Sequence, residues 1–260
     1  VDFLVILGTT GEAATLTPAE KYEVIEAIIE ANGDQVPYVL GAGGNDTRKV
    51  CQEIEDLDRR YAPHAFLSVS PYYNKPTQAG LLAHFQAVAR STDRDIILYN
   101  VPGRTARNME AATSLELAQS LSNVSAIKDA SGDIEQGMDL VMGRPADFNV
   151  LSGDDTLTLA QIGTGFDGVI SVAANAIPKQ FTSMVNAALA DNFELARQYQ
   201  YQILKLMRLF FAEGNPAGVK AGLEIAEICG RDVRLPLVKA SENLVEAIQK
   251  EMRKLEAVPY

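Results

Sequence analysis

The chain has 260 residues, of which 47% are hydrophobic and 22% are charged, a composition that can bury a substantial core and excludes a disordered protein. Its formal net charge is -11 and no basic run interrupts the acidic balance, so we expect no nucleic-acid partner. No apolar stretch is long enough to cross a bilayer, and we expect no membrane partner. The two cysteines, Cys51 and Cys229, cannot build a disulfide framework, which predicts a cytoplasmic protein.

Seven short apolar runs rich in β-branched residues predict seven strands. Segments with helical spacing separate these runs; the first of them starts at Thr17-Pro18 and stops at Asn32-Gly33. Strands that are apolar on both faces and alternate with helices form parallel sheets, so we predict the α/β class. The predicted strands cover Phe3–Leu7, Pro37–Leu40, Ala65–Val69, Ile96–Tyr99, Val124–Ile127, Asn149–Leu151 and Gly168–Val172.

Polar residues follow almost every predicted strand, and their distribution bears on two architectures, the open doubly wound sheet and the closed barrel. An open sheet concentrates its chemistry at one switch point, whereas a barrel collects it from the carboxyl ends of all its strands. We therefore predict a (β/α)8 TIM barrel as the catalytic domain over residues 1–190. Since only seven strands are visible, we expect the first strand and helix of the barrel to precede Val1.

The alternation of strands and helices stops near residue 191. Three helical patterns follow, which predict a C-terminal helical region over residues 191–260. These helices are predicted at Phe193–Phe211, Pro216–Ile228 and Lys239–Leu255.

Lys128 and Tyr99 each end an apolar strand. Burial at a barrel mouth would lower the pKa of Lys128 and supply the neutral amine that attacks a ketone to form an imine. A strand-end lysine can equally reach solvent along its apolar stem. Tyr99 could relay protons to such an imine, although aromatic residues at strand ends are more often simply packed.

Three further positions offer groups that bind carboxylates. Thr9 and Thr10, flanked by glycines, supply hydroxyls and backbone N–H groups in a tight loop, and a turn before a helix is the alternative. Arg104, in a loop stiffened by proline, could grip a carboxylate with two hydrogen bonds, and a solvated arginine is the alternative.

Metal and nucleotide cofactors find little support in the sequence. Asp154-Asp155 could suggest a metal site, but no histidine lies near, and turn formation or helix capping is the favoured interpretation. The glycines around Thr9 and Thr10 lack the spacing of dinucleotide and phosphate-binding loops.

Five segments occur in an order and spacing that together are highly specific: 8–12 (GTTGE), 71–76 (PYYNKP), 98–105 (LYNVPGRT), 127–133 (IKDASGD) and 151–155 (LSGDD). They resemble the dihydrodipicolinate synthase family, which belongs to the pyruvate-dependent class I aldolases together with N-acetylneuraminate lyase. The likeness runs over essentially the whole chain and also implies one more strand and helix before Val1.

The resemblance implies an enzyme that joins pyruvate to L-aspartate-4-semialdehyde, with no metal or organic cofactor. Lys128 would form the Schiff base, Tyr99 would shuttle protons, and Thr9 and Tyr73 would complete the relay. Because the equivalent of Tyr73 reaches a neighbouring active site, the resemblance also implies a homodimer or homotetramer.

The substrate contacts follow from the same resemblance. Thr10 would join Thr9 on the pyruvate carboxylate, Arg104 would bind the carboxylate of the second substrate, and Gly153 and Ile170 would line the site. The alternatives are a sister enzyme, such as N-acetylneuraminate lyase or a 2-keto-3-deoxy sugar acid aldolase, and a barrel that has lost catalysis.

The resemblance also bears on feedback inhibition by lysine. Strongly inhibited members of the family carry a histidine where this chain has Pro18 and a glutamate where it has Lys49. A lysine at the second position opposes the ammonium group of the inhibitor, so we expect weak inhibition or none.

Overall fold

In the computed structural model, which describes residues 1–256, all seven predicted strands are present and form one parallel sheet. Apolar, β-branched runs buried on both faces favour such a sheet. The last strand ends at Val169 rather than Val172, because the Ser171 hydroxyl accepts from the Ala174 backbone and a short 3-10 helix follows. The strands are β1 Leu4–Ile6, β2 Tyr38–Gly41, β3 Ala65–Val69, β4 Asp95–Asn100, β5 Val124–Asp129, β6 Asn149–Ser152 and β7 Gly168–Val169.

Each strand pairs with the next one along the chain, from β1 to β7. A doubly wound sheet reverses its strand order at a switch point, so this sequential order excludes that architecture. Within residues 1–256 the sheet is open between β1 and β7. The α/β class is confirmed, and the closed eight-stranded barrel stays a prediction.

Helices follow the strands in alternation and then continue alone toward the carboxyl end. The predicted helix over Phe193–Phe211 has those bounds, whereas the next two are Ala217–Ile225 and Glu242–Glu256, because Glu227 adopts a left-handed conformation and the Ser241 hydroxyl accepts from the Leu244 backbone. The helices are α1 Pro18–Asn32, α2 Thr47–Tyr61, α3 Gln78–Ala89, α4 Pro102–Thr105, α5 Ala111–Ser120, α6 Ile134–Gly143, α7 Thr158–Gly163, α8 Pro178–Leu189, α9 Phe193–Phe211, α10 Ala217–Ile225 and α11 Glu242–Glu256.

The chain folds as two units. The strand unit comprises Val1–Gly8 and Val24–Ile170, and the helical unit comprises Thr9–Glu23 and the chain from Ser171 onward. The division between these units differs from the boundary predicted at residue 190. It differs because α8 packs against α9, and because the segment Thr9–Glu23 joins the helices. The division into a catalytic barrel and a C-terminal region stays a prediction, and residues 257–260 of that region lie outside the described chain.

Side chains of the strand unit alternate between the two faces of the sheet. One face carries an apolar cluster to which β2, β3, β4 and β5 all contribute; we call it the cluster face. Its buried members are Val39, Ala65, Leu67, Ile97, Tyr99, Val101 and Ala126. No helix within residues 1–256 is long and apolar enough to span a membrane.

Candidate active site

Lys128 and Tyr99 lie side by side at the carboxyl ends of β5 and β4. The two residues are register partners in the parallel pair, and Lys128 follows Ala126 by two positions, which places its side chain on the cluster face. Lys128 is buried, and its Nζ lies 4.3 Å from the centroid of the Tyr99 ring. The structure therefore excludes the interpretation of Lys128 as a solvated strand-end lysine.

Burial gives Lys128 an unusual acidity. Loss of hydration is the main cause that lowers the pKa of Lys128 from 10.5 to about 8; the charge of Arg104 adds to this effect, and the charge of Asp155 opposes it. With a pKa of about 8, about a tenth of the amine is neutral at pH 7, against fewer than about one in a thousand for an ordinary lysine. Lys128 is thus prepared to act as a nucleophile near neutral pH.

Asp155 is a charged group of the site that sequence reasoning missed. Its neighbour Asp154 forms the predicted turn, with Oδ1 accepting from the backbone N–H groups of Thr156 at 2.9 Å and Leu157 at 3.3 Å. Asp155 itself is only 2% exposed, and its charge acts on Lys128. In a sequence, an aspartate that follows a strand is typical of a turn. Only its burial in the structure distinguishes a charged group of the site from a turn residue.

Arg104 occupies the short helix α4 directly after β4. Its backbone N–H donates to the Val101 carbonyl at 2.9 Å, and its side chain is exposed. Its charge lowers the pKa of Lys128, so the guanidinium acts on the same site from the end of the neighbouring strand.

Gly153 and Ile170 lie at the ends of β6 and β7. The Gly153 N–H donates to the Asp129 carbonyl at 2.7 Å, and a Cβ at Gly153 would stand 3.1 Å from Lys128 Cε. Ile170 packs against the apolar cluster that contains Tyr99. The structure therefore brings both residues to the surroundings of the Lys128–Tyr99 pair.

Tyr73 differs from the other predicted residues. It follows β3 in a loop, has a positive φ of 72°, and is 87% exposed. The Tyr73 ring is therefore not packed against the rest of the strand unit.

Thr9 and Thr10 lie in the helical unit, where they start a 3-10 turn over Thr9–Gly11. The Glu12 N–H donates to the Thr9 carbonyl at 3.1 Å, and the Thr10 hydroxyl accepts a 2.9 Å hydrogen bond from the Asn215 amide. The segment between the glycines forms a tight turn, which both interpretations expect, and the carboxylate-binding role of Thr9 and Thr10 stays a prediction. Among residues 1–256, no group of three histidine, cysteine or acidic side chains could hold a metal ion.

Comparison with known proteins gives one consistent result. The profile of the dihydrodipicolinate synthetase family matches residues 1–255. A 4-hydroxy-tetrahydrodipicolinate synthase of Flavobacterium psychrophilum is 47% identical over 245 residues, which cover 94% of this chain and 83% of the relative.

Solved structures agree with the sequence relatives. A dihydrodipicolinate synthase from Thermotoga maritima superposes with a TM-score of 0.96 at 36% identity and covers 99% of this chain and 88% of its own. A chloride-inhibited dihydrodipicolinate synthase from Acinetobacter baumannii, complexed with pyruvate, superposes with a TM-score of 0.93 at 36% identity and the same coverage.

Proposed function

Because the chain belongs to the dihydrodipicolinate synthetase family of class I aldolase-type lyases, we propose that it joins pyruvate to L-aspartate-4-semialdehyde through a Schiff base on Lys128. The product, 4-hydroxy-tetrahydrodipicolinate, leads to diaminopimelate and lysine. The observation that carries this proposal is the buried Lys128 amine, with its pKa lowered to about 8 and its Nζ over the Tyr99 ring.

The proposed chemistry begins with the neutral amine. Lys128 Nζ attacks the ketone carbon of pyruvate, and water leaves as the imine forms. The protonated imine withdraws electrons, so the methyl carbon loses a proton and adds as an enamine to the aldehyde carbon of the second substrate. The amino group of that substrate then attacks the imine carbon, which closes the ring and releases Lys128.

Each transfer in this sequence needs a proton donor or acceptor. The phenol of Tyr99 is adjacent to Lys128 and takes that role in our proposal, with the Thr9 hydroxyl and Tyr73 extending the relay. The roles of Thr9 and Tyr73 are supported by the family motifs in which they occur.

The two substrate carboxylates need separate binding groups. We assign the pyruvate carboxylate to the hydroxyls and N–H groups of Thr9 and Thr10, and the carboxylate of the second substrate to Arg104. An arginine can hold a carboxylate with two charge-assisted hydrogen bonds. Gly153 and Ile170 would line the space beside Lys128, where a side chain at Gly153 would meet the lysine.

The assembly is proposed as a homodimer or homotetramer. The exposure of Tyr73 supports this, since an aromatic ring that serves a neighbouring subunit must project from its own. The closed barrel and the cytoplasmic location belong to the same proposal.

The synthase is favoured over a sister aldolase because the relatives reported above carry the synthase name. A barrel without catalysis would have no need of a buried lysine with a lowered pKa, a feature that marks reactive sites.

Reductive trapping tests the proposed function. Pyruvate with borohydride should add one reduced pyruvate to the peptide that contains Lys128, and Lys128→Ala should abolish the addition. Lys21→Ala is a control at a lysine outside the strand unit and should leave the addition unchanged. Labelling at another lysine, or undiminished labelling in Lys128→Ala, would refute the assignment.

A further inference from the structure

A buried pair of polar side chains lies directly after Tyr99 and Lys128. Asn100 and Asp129 are the next register partners of β4 and β5, and both are fully buried. Because side chains alternate along a strand, the pair projects from the face of the sheet opposite to the cluster face. Neither residue has a place in the chemistry proposed above, although both adjoin residues that do.

The two side chains are joined directly. Asn100 Nδ2 donates a 2.8 Å hydrogen bond to Asp129 Oδ1, and Asp129 Oδ2 accepts a 2.6 Å hydrogen bond from the Ser131 hydroxyl. The backbone adds a second connection, since the Ala130 N–H donates to the Asn100 carbonyl at 2.8 Å. The ends of β4 and β5 are thus tied together directly after the Tyr99–Lys128 pair, through side chains and through the backbone.

Asn100 also holds the loop that contains Arg104. Asn100 Oδ1 accepts from the Met109 N–H at 3.0 Å, and Asn100 Nδ2 also donates to Asn108 Oδ1 at 2.8 Å. Asn108 Nδ2 donates in turn to Gln136 Oε1 at 2.6 Å, in the first turn of α6. The chain that leaves β4 therefore returns to it eight or nine residues later.

Burial gives this network its energetic weight. A buried carboxylate or amide that loses its hydrogen-bond partner still bears the free-energy cost of its removal from water. Each broken hydrogen bond therefore favours rearrangement of the strand ends. Asp129 is fully buried, and the resulting desolvation raises the pKa of its carboxyl group. A displacement of about 1 Å at a reacting group can cost about a hundredfold in rate.

We propose that Asn100 and Asp129 are positioning residues that hold Lys128 Nζ over Tyr99 and fix the loop of Arg104. Neither side chain contacts substrate in this proposal; both act through the strand ends that they join. The inference rests on the proposed Schiff-base function, and its test measures the rate of pyruvate imine formation by borohydride trapping.

The test compares three variants with one control. Asn100→Ala and Asp129→Ala should each slow imine formation about tenfold or more. Asp129→Asn should stay within about threefold of the unaltered chain, because its Oδ1 still accepts from Asn100 and its amide can donate to Ser131. The control Thr92→Val removes a hydrogen bond of 2.6 Å to Asp58 before the amino end of β4, and should lower stability without slowing imine formation.

The pH dependence of imine formation separates a positioning role of Asp129 from an effect of its charge on Lys128. Since Asp129 faces away from the cluster face, Asp129→Asn should leave the midpoint of the pH profile of imine formation unchanged. Equal loss in Asp129→Asn and Asp129→Ala, a shifted midpoint in Asp129→Asn, or losses no larger than that of Thr92→Val would overturn the proposal.

Three further outcomes separate failure of the positioning role from failure of the proposed function. If the alanine variants fail to fold, Ser131→Ala removes the 2.6 Å bond to Asp129 at a half-buried position and should slow imine formation about threefold; an unchanged rate overturns the proposal. If the unaltered chain forms no imine with pyruvate, the proposed function itself fails. Rapid imine formation in both the unaltered chain and the alanine variants refutes only the positioning role.

Discussion

The amide of Asn215 donates a 2.9 Å hydrogen bond to the hydroxyl oxygen of Thr10 within the helical unit. Asn215 is buried, whereas Thr10 is half-buried in the turn that we assign to the pyruvate carboxylate. Because Thr10 Oγ1 accepts from Asn215, its own proton remains available to donate. The contact thus orients a donor for an anionic ligand.

Two charged contacts hold the same segment against the helices of this unit. Glu12 forms an ion pair with Lys220 at 3.1 Å, and it also accepts a 2.9 Å hydrogen bond from the Arg234 backbone. The Arg234 guanidinium binds Glu20 with two hydrogen bonds, of 2.7 and 3.0 Å. These contacts explain why Thr9–Glu23 belongs with the carboxyl-terminal helices rather than with the strands.

Asn215→Ala should weaken pyruvate binding. Loss of one hydrogen bond of ordinary strength, about 1 kcal/mol, corresponds to an increase of about fivefold in the KM for pyruvate, with less change in the KM for the second substrate. The control is Asn175→Ala, which removes an exposed amide hydrogen bond of 3.0 Å to the Val172 carbonyl in the same unit. Equal KM values for Asn215→Ala and Asn175→Ala would contradict the orienting role of Asn215.

The charges around Lys128 predict opposite shifts in the pH profile of imine formation. Only the neutral amine attacks pyruvate, so the rate should rise with pH and reach half its maximum near the pKa of Lys128, about 8. Asp155→Asn removes a charge that raises this pKa, and the midpoint should move to lower pH. Arg104→Gln removes a charge that lowers it, and the midpoint should move to higher pH.

Borohydride trapping over the neutral and alkaline range gives these midpoints directly. Shifts of the two variants in the same direction would show that the substitutions act through structure rather than through charge. Arg104→Gln should in addition reduce turnover with aspartate semialdehyde more than it reduces imine formation, since we propose that Arg104 binds the carboxylate of the second substrate.

Gly153→Ala should obstruct the site. The added Cβ would lie 2.6 Å from Ala130 Cβ and 3.1 Å from Lys128 Cε, so the strand ends or the lysine must move. We expect imine formation to slow by about a hundredfold, the scale that a displacement of about 1 Å produces. Gly103→Ala is the matched control, because nothing lies within 4 Å of a Cβ at that position. Similar rates in the two variants would remove Gly153 from the site.

Much of the strand unit could be predicted from sequence because its signals are local. Apolar runs give the strands, and the carboxyl ends of adjacent parallel strands meet at one edge of a sheet, which is why Tyr99 and Lys128 could be paired. The bond between Asn100 and Asp129 had no such signal. Asparagine and aspartate after a strand are typical of turns, and only the register of β4 and β5 shows that they are buried together.

The helical unit shows the same limit at longer range. Glu12 and Lys220 are 208 residues apart in the chain, and Glu20 and Arg234 are 214 apart. No periodicity or motif links charges at that distance. The domain boundary predicted at residue 190 therefore rested on the point where the alternation of strands and helices ends. Asp155 was missed for a related reason, since burial depends on elements that pack over it.

The expectation of weak feedback inhibition by lysine rests on two positions, Lys49 and Pro18. Lys49 lies in the first turn of α2 with its side chain 81% exposed, and its Nζ is 3.9 Å from Asp46 Oδ2, a contact that is worth little at such exposure. Pro18 is the first residue of α1. Neither residue offers the groups that its counterparts in strongly inhibited relatives supply, a carboxylate at one position and an imidazole at the other.

We therefore expect weak inhibition by lysine or none, and we expect Lys49→Glu to increase it. The substitution replaces a charge that repels the ammonium group of the inhibitor with one that attracts it. Initial rates measured against lysine concentration give the inhibition constant for each chain. Arg48→Glu makes the same change of charge at the adjacent exposed residue of α2 and should leave the constant unaltered. Clear inhibition of the unaltered chain at sub-millimolar lysine, or equal effects of the two substitutions, would show that binding does not depend on position 49.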